Sequence, residues 1–139
     1  MRHQLETSII INADLETVWN TFINFEAYPA WETFIKSVKG DMKVGARLEA
    51  EITGMTFRPT VQIFEEKKEL TWLGKLWFSG IFDGRHTFRF SENEDGTTTF
   101  SHSEKFRGIL VPLMKKKLKT DILEGFEHFN RTLKEKAEK

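Results

Sequence analysis

The first part of the chain carries a strand pattern followed by a helix pattern. Residues 4–11 end in three isoleucines, a β-branched run that predicts a first strand. After Asp14, apolar residues recur at the three- and four-residue spacing of an amphipathic helix, and an aspartate at this place is a favoured N-cap. The apolar stripe consists of Leu15, Val18, Trp19, Phe22 and Ile23. A strand and a helix should therefore open the fold.

A proline then changes the pattern. The residue before a proline is biased toward extended backbone, so we expect Tyr28 to be extended and residues 30–34 to form a second short helix or turn. Residues 35–39 are typical of a strand that ends at Gly40. Two short helices are thus predicted between the first and second strands.

From Arg47 to Phe106 the period becomes the alternation of β-strands, which predicts strands at 47–53, 56–65, 69–76, 84–92 and 97–106. Turn-forming residues separate them, and such short links imply antiparallel neighbours. Beyond Pro112 the helical spacing returns and predicts a long C-terminal helix. The part of this helix from about Thr120 to Lys136 is expected to face the sheet. Its apolar stripe is Leu118, Ile122, Phe126, Phe129 and Leu133.

These elements predict an α+β fold: a curved antiparallel β-sheet wrapped around a long C-terminal α-helix, with two short helices after the first strand. No internal repeat, low-complexity stretch or linker divides the chain. Residues 1–139 are therefore expected to form a single domain.

Composition narrows the function classes. The 139 residues contain 21 Lys and Arg against 21 Asp and Glu, so no net positive field is available to gather nucleic acid. Cysteine is absent, which excludes disulfides and thiolate chemistry. With a polar N-terminus and no long apolar run, we expect a soluble cytoplasmic protein. The chain has 13 Phe and 4 Trp but one Tyr, so its aromatic side chains are nearly all apolar, and this bias needs an explanation.

Strand alternation places three titratable side chains on the inner face of the sheet. His86 shares a face with Phe88 and Phe90, while the next strand turns His102 and Glu104 to the same side as its own phenylalanines. The turn between the strands sets His86 opposite either His102 or Glu104. We therefore expect the three groups to meet inside an aromatic face.

Several interpretations of this trio remain open. It can be a mutually satisfied polar cluster, a polar handle for a ligand, or an acid and base acting on an enolisable substrate. His102 and Glu104, two residues apart on one strand, with His86 could also bind zinc, but that spacing is common by chance, so no metal and no cofactor are predicted. Catalysis is left undecided, with His86, His102 and Glu104 as the candidate residues.

Two apolar connections also allow more than one interpretation. One lies near residues 77–82 and contains Trp77, and the other covers residues 109–114, directly before Lys115, Lys116 and Lys117. They can seal the core, or they can gate a cavity with the lysines facing an anionic ligand or a phospholipid surface. Membrane contact is possible but not expected.

Phosphate-binding glycine loops, G-x-S-x-G and H-E-x-x-H are absent from the sequence, which disfavours nucleotide hydrolysis, triad esterase chemistry and zincin proteolysis.

Five segments resemble a known family. They are 11–19 (INADLETVW), 25–34 (FEAYPAWETF), 82–88 (FDGRHTF), 96–108 (GTTTFSHSEKFRG) and 129–134 (FNRTLK). Together they resemble the polyketide cyclase/dehydrase branch of the SRPBCC superfamily, the START and pollen-allergen-like proteins. Asp14 and Thr33 stand where members of that branch often carry proline.

The resemblance implies a helix-grip fold with an elongated hydrophobic cavity between sheet and helix, and relatives that bind lipids, sterols, polyketides or plant hormones. We therefore expect carriage or sensing of a small hydrophobic ligand that bears one polar or anionic group. A cyclase- or dehydratase-like enzyme and a protein- or membrane-interaction module are the alternatives. The residues predicted to bind the ligand are Phe57, Val61, Trp72, Trp77, His86, Phe88, Phe100, His102, Glu104, Ile122, Phe126 and Phe129.

Overall fold

The structure, a computed structural model, describes residues 2–32, 34–52, 54–76 and 80–139. Its strands are β1 (Arg2–Ile11), β2 (Ile35–Lys39), β3 (Glu49–Ile52), β4 (Met55–Phe57), β5 (Thr60–Glu65), β6 (Glu69–Leu76), β7 (Phe82–Glu92) and β8 (Thr98–Arg107). Its helices are α1 (Leu15–Ile23), α2 (Tyr28–Trp31), α3 (Val111–Lys117) and α4 (Leu123–Ala137), with a 3₁₀ turn at Phe25–Ala27 and a π-helical turn at Leu118–Ile122.

All strand pairs are antiparallel, and they form two sheets. The larger sheet has the order β1-β8-β7-β6-β5, and the smaller one has the order β2-β3-β4. An isolated antiparallel bridge pairs Arg47, just before β3, with Thr60 of β5. The predicted α+β architecture is confirmed: an antiparallel sheet packs against a long C-terminal helix, and two short helical segments follow β1.

The prediction of one strand over 56–65 is wrong, because the chain changes sheets in the middle of that segment. β4 pairs with β3 in the smaller sheet, and β5 pairs with β6 in the larger one. Pro59 lies between them, and a proline cannot donate to a ladder of hydrogen bonds. Its carbonyl oxygen instead accepts a 2.8 Å hydrogen bond from the backbone nitrogen of Leu48.

Helix α1 begins where the sequence predicts it. The Oδ1 atom of Asp14 accepts a 2.8 Å hydrogen bond from the backbone nitrogen of Thr17, the interaction expected of an N-cap. Val18, Trp19 and Phe22 are buried, so the apolar stripe faces the core as predicted.

Tyr28 departs from the prediction. Its φ of −55° and ψ of −42° are helical, and it opens α2 with Pro29 in the first turn. Proline is tolerated there because the N–H it lacks would have no partner within the helix. The side chain is fully buried, and its hydroxyl donates a 2.6 Å hydrogen bond to the carbonyl oxygen of Phe22. The buried ring also packs against Phe129 of α4, and this packing outweighs the local bias of the residue before a proline.

The C-terminal helical segment is longer than predicted. It begins at Val111 and runs through α3, the π turn and α4, and the residues at the junctions keep helical backbone angles. Pro112 lies in its first turn, where its missing N–H costs no hydrogen bond. The buried positions of α4 include Phe126, Phe129 and Leu133, the stripe that the sequence indicates. No helix among the described residues is both long and apolar enough to cross a membrane.

Candidate functional site

Strands β7 and β8 bring the three predicted titratable residues together. In the β7–β8 register His86 lies opposite Glu104, and Phe88 lies opposite His102. His86 and His102 are buried on the inner face with Phe88. The predicted inward orientation is thus confirmed, and of the two registers that the turn allowed, the pairing of His86 with Glu104 is the one formed.

The two histidines contact each other directly. Nε2 of His86 lies 2.5 Å from Nε2 of His102, and the two ring planes are nearly parallel at 11°. Nδ1 of His102 lies 3.0 Å from Oδ1 of Asn130 on α4. Asn130 donates through Nδ2 to Oγ1 of Thr7 over 2.8 Å, and the Thr7 hydroxyl donates over 2.7 Å to the carbonyl oxygen of His102. The pair therefore connects the helix to β1 and β8.

These contacts determine which ring nitrogens carry protons. Because the Thr7 hydroxyl donates to a carbonyl, it accepts from the Asn130 amide, which directs Oδ1 of Asn130 toward His102. Nδ1 of His102 must then carry a hydrogen, so in the neutral ring its Nε2 is an acceptor. Nε2 of His86 supplies the hydrogen between the rings, and Nδ1 of neutral His86 is left as an acceptor.

Both imidazoles are held neutral. Burial lowers the pKa of His102 from 6.5 to about 3, although the hydrogen bonds with Asn130 and with the backbone of Phe126 act in the opposite direction. The pKa of His86 is lowered well below its ordinary value, first by burial and then by the neighbouring His102. A positive charge on either ring would lie in an apolar, water-poor interior, which is costly.

Glu104 lies at the outer end of this chain of groups. Its Oε1 is 3.7 Å from Nδ1 of His86, longer than a direct hydrogen bond, and its side chain is 15% exposed. Burial raises the pKa of Glu104 from 4.5 to about 8. Near neutral pH the carboxyl group therefore carries its proton, and it faces the ring nitrogen of His86 that is free to accept one.

Two glycines form a floor beneath Glu104. Gly74 on β6 lies opposite Gly84 on β7, on the inner face that also carries Trp72 and His86. A Cβ atom at Gly84 would collide with Oε2 of Glu104, so the missing side chain makes room for the carboxyl group. Among the described residues, a Cβ at Gly74 would come within 4 Å of only one atom, the carbonyl oxygen of Gly84 at 3.9 Å. We call Gly74 and Gly84 the glycine floor.

The middle of the interior is filled by stacked rings. The ring of Phe126 lies 4.0 Å from that of His102 and 5.1 Å from that of His86, measured between centroids, with nearly parallel planes. Trp72 packs edge-on against His86 at 5.5 Å and against Phe88 at 5.3 Å. At this level of the fold the predicted ligand-binding rings contact one another.

The structure brings most of the predicted ligand-binding residues into this interior, but not all of them. Phe57 is half-buried on β4 of the smaller sheet, and Ile122 is half-buried at the end of the π turn. Trp77 lies outside the described residues. The buried members of the predicted set are Val61, Trp72, His86, Phe88, Phe100, His102, Phe126 and Phe129.

Two open cavities flank α4 rather than the aromatic interior. One of about 620 Å³ is bordered by Phe34, Asp121 and Arg131. The other, of about 330 Å³, lies between β1 and α4 and is bordered by Thr7 and Asn130. Neither is lined by the side chains of the histidine pair or by Glu104.

The trio is poorly arranged for a metal ion. Zinc binds histidine nitrogens at about 2.0–2.1 Å, but the two Nε2 atoms face each other at 2.5 Å and leave no room for an ion between them. Among the described residues, no three His, Asp or Glu side chains are placed to hold a metal.

Four participants were missed from the sequence. Asn130 and Thr7 complete the hydrogen bonding of His102, and Gly74 and Gly84 form the floor. A polar Asn130 directly after Phe129 in the predicted apolar stripe was the available signal for the first. The glycines carried no such signal, because a glycine in a strand is equally typical of a bulge.

Comparison with known proteins places this chain in a family. Residues 2–138 match the family described as polyketide cyclase / dehydrase and lipid transport. No curated protein matches the sequence.

Solved structures share the fold at low sequence identity. The hypothetical protein jhp0584 from Helicobacter pylori has a TM-score of 0.84 at 15% identity, over 97% of this chain and 88% of its own. A START superfamily protein from Mycobacterium smegmatis has a TM-score of 0.70 at 23% identity, over 98% and 97%. The di-domain ARO/CYC StfQ from the steffimycin biosynthetic pathway has a TM-score of 0.75 at 9% identity, over 99% of this chain and 51% of its own. At these identities the similarity establishes the fold alone.

Proposed function

This chain belongs to the polyketide cyclase / dehydrase and lipid transport family, and from that premise we propose that it binds a small hydrophobic molecule carrying one polar group, at the end of the helix grip where Glu104 lies over the glycine floor. The observation that carries this proposal is the space that the described residues leave over Gly74, beside a largely buried carboxyl group. An apolar recess with one or two directed polar groups is the usual form of a small-molecule site.

The packing of the interior favours a ligand site near Glu104 and the glycine floor over one at the level of the stacked rings. The stacked rings of Phe126, His102 and His86 occupy the space between sheet and helix at their level. Toward the β6–β7 connection, the inner face has glycines at positions 74 and 84, and Phe82 stacks on Phe106 beyond them. A ligand that enters here would place its apolar body against Trp72 and the rings, without requiring the histidine pair to separate.

Glu104 would recognise the polar group of the ligand. A protonated carboxyl group donates a hydrogen bond, so a ligand carbonyl, carboxylate or hydroxyl oxygen is a suitable partner. His86 and His102 would act behind it, because their hydrogen-bond chain holds the acceptor nitrogen of His86 toward Glu104. In this arrangement the trio is a polar handle in an otherwise apolar site.

A second candidate function is favoured by one specific observation. The pKa of Glu104, about 8, lies close to the pH of most cells, where a general acid or base is most effective. The ionised group could remove a proton from a carbon next to a carbonyl, and the protonated group could return one to an oxygen. If a substrate is found, a Glu104→Gln variant that retains full turnover would exclude this role.

The binding proposal is tested by ligand-induced changes in melting temperature and tryptophan fluorescence with fatty acids, sterols and aromatic polyketides. We expect one class to raise the melting temperature of the wild type and to alter the emission of Trp72, whose ring contacts His86. Native mass spectrometry of protein purified from its own host would identify a retained molecule directly.

A variant pair makes the test specific to the glycine floor. Gly74→Val places a side chain where the described residues leave space, and should abolish binding with little change in unfolding midpoint. Ser91→Val, on the exposed outer side of β7, is the matched control and should bind as the wild type does. Unchanged binding by Gly74→Val, or no response to any of the three ligand classes, would contradict the proposal.

A further inference from the structure

The segment that opens the C-terminal helix buries some of its apolar residues and exposes others. Val111 and Leu118 are buried in the core, whereas Ile109 is 69% and Leu113 is 80% exposed. Sealing the core therefore explains only part of the apolar run at 109–114. Large apolar side chains exposed next to one another on a protein surface are typical of a contact with a partner or a membrane.

Four lysines follow this exposed apolar pair along the chain. Lys115, Lys116, Lys117 and Lys119 are all exposed, and the ion pairs found among the described residues involve none of them. Their positive field reaches the start of β1, where Lys119 and Lys115 add to burial in lowering the pKa of His3. A chain with no net charge thus concentrates positive charge at one end of its C-terminal helical segment.

Helix geometry puts the exposed apolar residue of α3 and two of the four lysines on one side of the helix. The direction of Val111 and Leu118 defines the core side of α3. At 100° per residue Leu113, Lys116 and Lys117 point away from it. Lys115 and Lys119 lie on the flank toward His3 of β1. Ile109, in the turn before α3, lies four residues before Leu113. We call the surface formed by Ile109, Leu113, Lys115, Lys116, Lys117 and Lys119 the basic apolar tip.

We propose that the basic apolar tip docks on an anionic phospholipid bilayer, with Ile109 and Leu113 inserted among the acyl chains and the lysines paired with lipid phosphates. Charge complementarity favours this occupant, because a cytoplasmic-type leaflet is negative and attracts clustered lysines. The apolar residues project outward from the helix start instead of lining a groove, which suits insertion into a fluid layer better than recognition of a shaped protein surface. This proposal does not depend on what the interior binds.

The test is sedimentation with vesicles of phosphatidylglycerol and phosphatidylcholine in equal parts, compared with vesicles of phosphatidylcholine alone. We expect binding to the mixed vesicles only, weakened when salt is raised from about 0.1 M to about 1 M, since the screening length falls from about 10 Å to about 3 Å. Each lysine near the surface should contribute about fivefold to the partition coefficient.

Two variants address the two components of the tip. Replacing Lys115, Lys116, Lys117 and Lys119 with Gln should abolish binding to anionic vesicles. Replacing Ile109 and Leu113 with Ser should weaken it while leaving the salt dependence. All six side chains are exposed, so neither variant should alter the unfolding midpoint.

Matched controls come from a different surface. Val44→Ser with Met55→Ser removes apolar side chains that are also exposed, and Gln at Lys36, Lys39 and Lys43 removes exposed charges. Both controls, and the Gly74→Val variant, should bind vesicles as the wild type does. The proposal is overturned if the wild type fails to sediment with mixed vesicles, or if the tip variants sediment as well as the controls. Salt-sensitive binding to poly-glutamate without vesicle binding would assign the tip to an acidic protein and equally overturn it.

Discussion

Glu104 and His86 face each other across β7 and β8, with Oε1 of the carboxyl group 3.7 Å from Nδ1 of the imidazole. In most pairs of this kind the carboxylate is negative and the imidazole positive. Here burial acts on both groups in the direction of neutrality, raising the pKa of Glu104 and lowering that of His86. The contact is therefore one between a carboxylic acid and a neutral ring.

The raised pKa of Glu104 predicts that the folded protein loses stability as the pH rises. Between pH 4.5 and 8 the folded protein keeps a proton that the unfolded chain has released, so the free energy of unfolding falls as pH rises through this window. Each pKa unit corresponds to about 1.4 kcal/mol, so the decrease should reach a few kcal/mol. Glu104→Gln should remove it, as measured by urea denaturation at pH 5, 6.5 and 8.5.

Glu135→Gln is the control for this experiment, because Glu135 is an exposed carboxylate on α4. It should leave the pH dependence as it is in the wild type. Parallel stability curves for the wild type and Glu104→Gln would mean that Glu104 is already ionised in the folded protein at neutral pH.

The histidine pair predicts a loss of stability in acid. The pKa of His102 is about 3 in the folded protein against 6.5 for a free ring, so the unfolded chain binds the extra proton between these values. The free energy of unfolding should therefore fall as pH is lowered from 6.5 toward 3. This decrease should persist in Glu104→Gln, which separates it from the decrease at rising pH that is due to Glu104. A stability that rises toward pH 4 in that variant would be inconsistent with a buried neutral pair.

The hydrogen-bond chain predicts a definite tautomer for each ring. His102 should carry its hydrogen on Nδ1, toward Asn130, and His86 should carry its hydrogen on Nε2, toward His102. Nitrogen-15 NMR of the imidazole rings distinguishes the two forms at pH 7. Finding Nε2–H on His102 would contradict the assignment, because the Asn130 amide would then have to be reversed against its bond to Thr7.

Asn130 should contribute to stability through this chain. Asn130→Leu removes the acceptor of the His102 Nδ1–H in a buried position, and leaving such a donor unpaired costs about 1–3 kcal/mol. Urea denaturation at pH 7 measures the loss. Asn20→Leu, at an exposed position of α1, is the matched control and should change the midpoint little. Equal effects of the two substitutions would show that the polar chain adds nothing to folding.

Gly125 should resist a substitution that normally stabilises helices. In a helix interior Ala is favoured over Gly by about 1 kcal/mol, but a Cβ at Gly125 would collide with the Phe34 ring, and overpacking costs about 1–3 kcal/mol. Phe34 is itself buried against Phe126, so it has little freedom to move. Gly125→Ala should therefore lower the melting temperature.

Making room for the added methyl group should reverse that effect. In a Phe34→Leu background, Gly125→Ala should be neutral or stabilising, because the smaller side chain yields space. Thermal unfolding of the four variants in this cycle gives the coupling between the two sites directly. A Gly125→Ala protein that is more stable than the wild type would contradict the packing argument.

Local patterns in the sequence were sufficient for the order of elements and for the faces of the strands. Strand alternation places His86, His102 and Glu104 inside because side chains on a pleated strand must alternate, and one face of this sheet is aromatic. The Asp14 cap and the stripe of α1 were predictable for a similar reason. Each depends only on residues close together in the chain.

Where local bias met a distant contact, prediction from sequence failed. Tyr28 is helical with its buried ring against Phe129 of α4, and residues 56–65 divide at Pro59 because β4 and β5 pair with different sheets. Neither partner can be read from the neighbouring residues.

The sequence by itself determined that an aromatic face and three titratable groups would meet beneath a long helix. Only the tertiary structure decided how the enclosed volume is divided. Rings from β7, β8 and α4 stack at the level of Phe126, and Trp72 of β6 packs edge-on against them. The Glu104 carboxyl group takes the place of a side chain at Gly84, while the described residues leave space over Gly74. The physical reason is that strand and helix periods specify the direction of each side chain, whereas filled and unfilled space depends on the summed volumes of side chains from elements far apart in the chain.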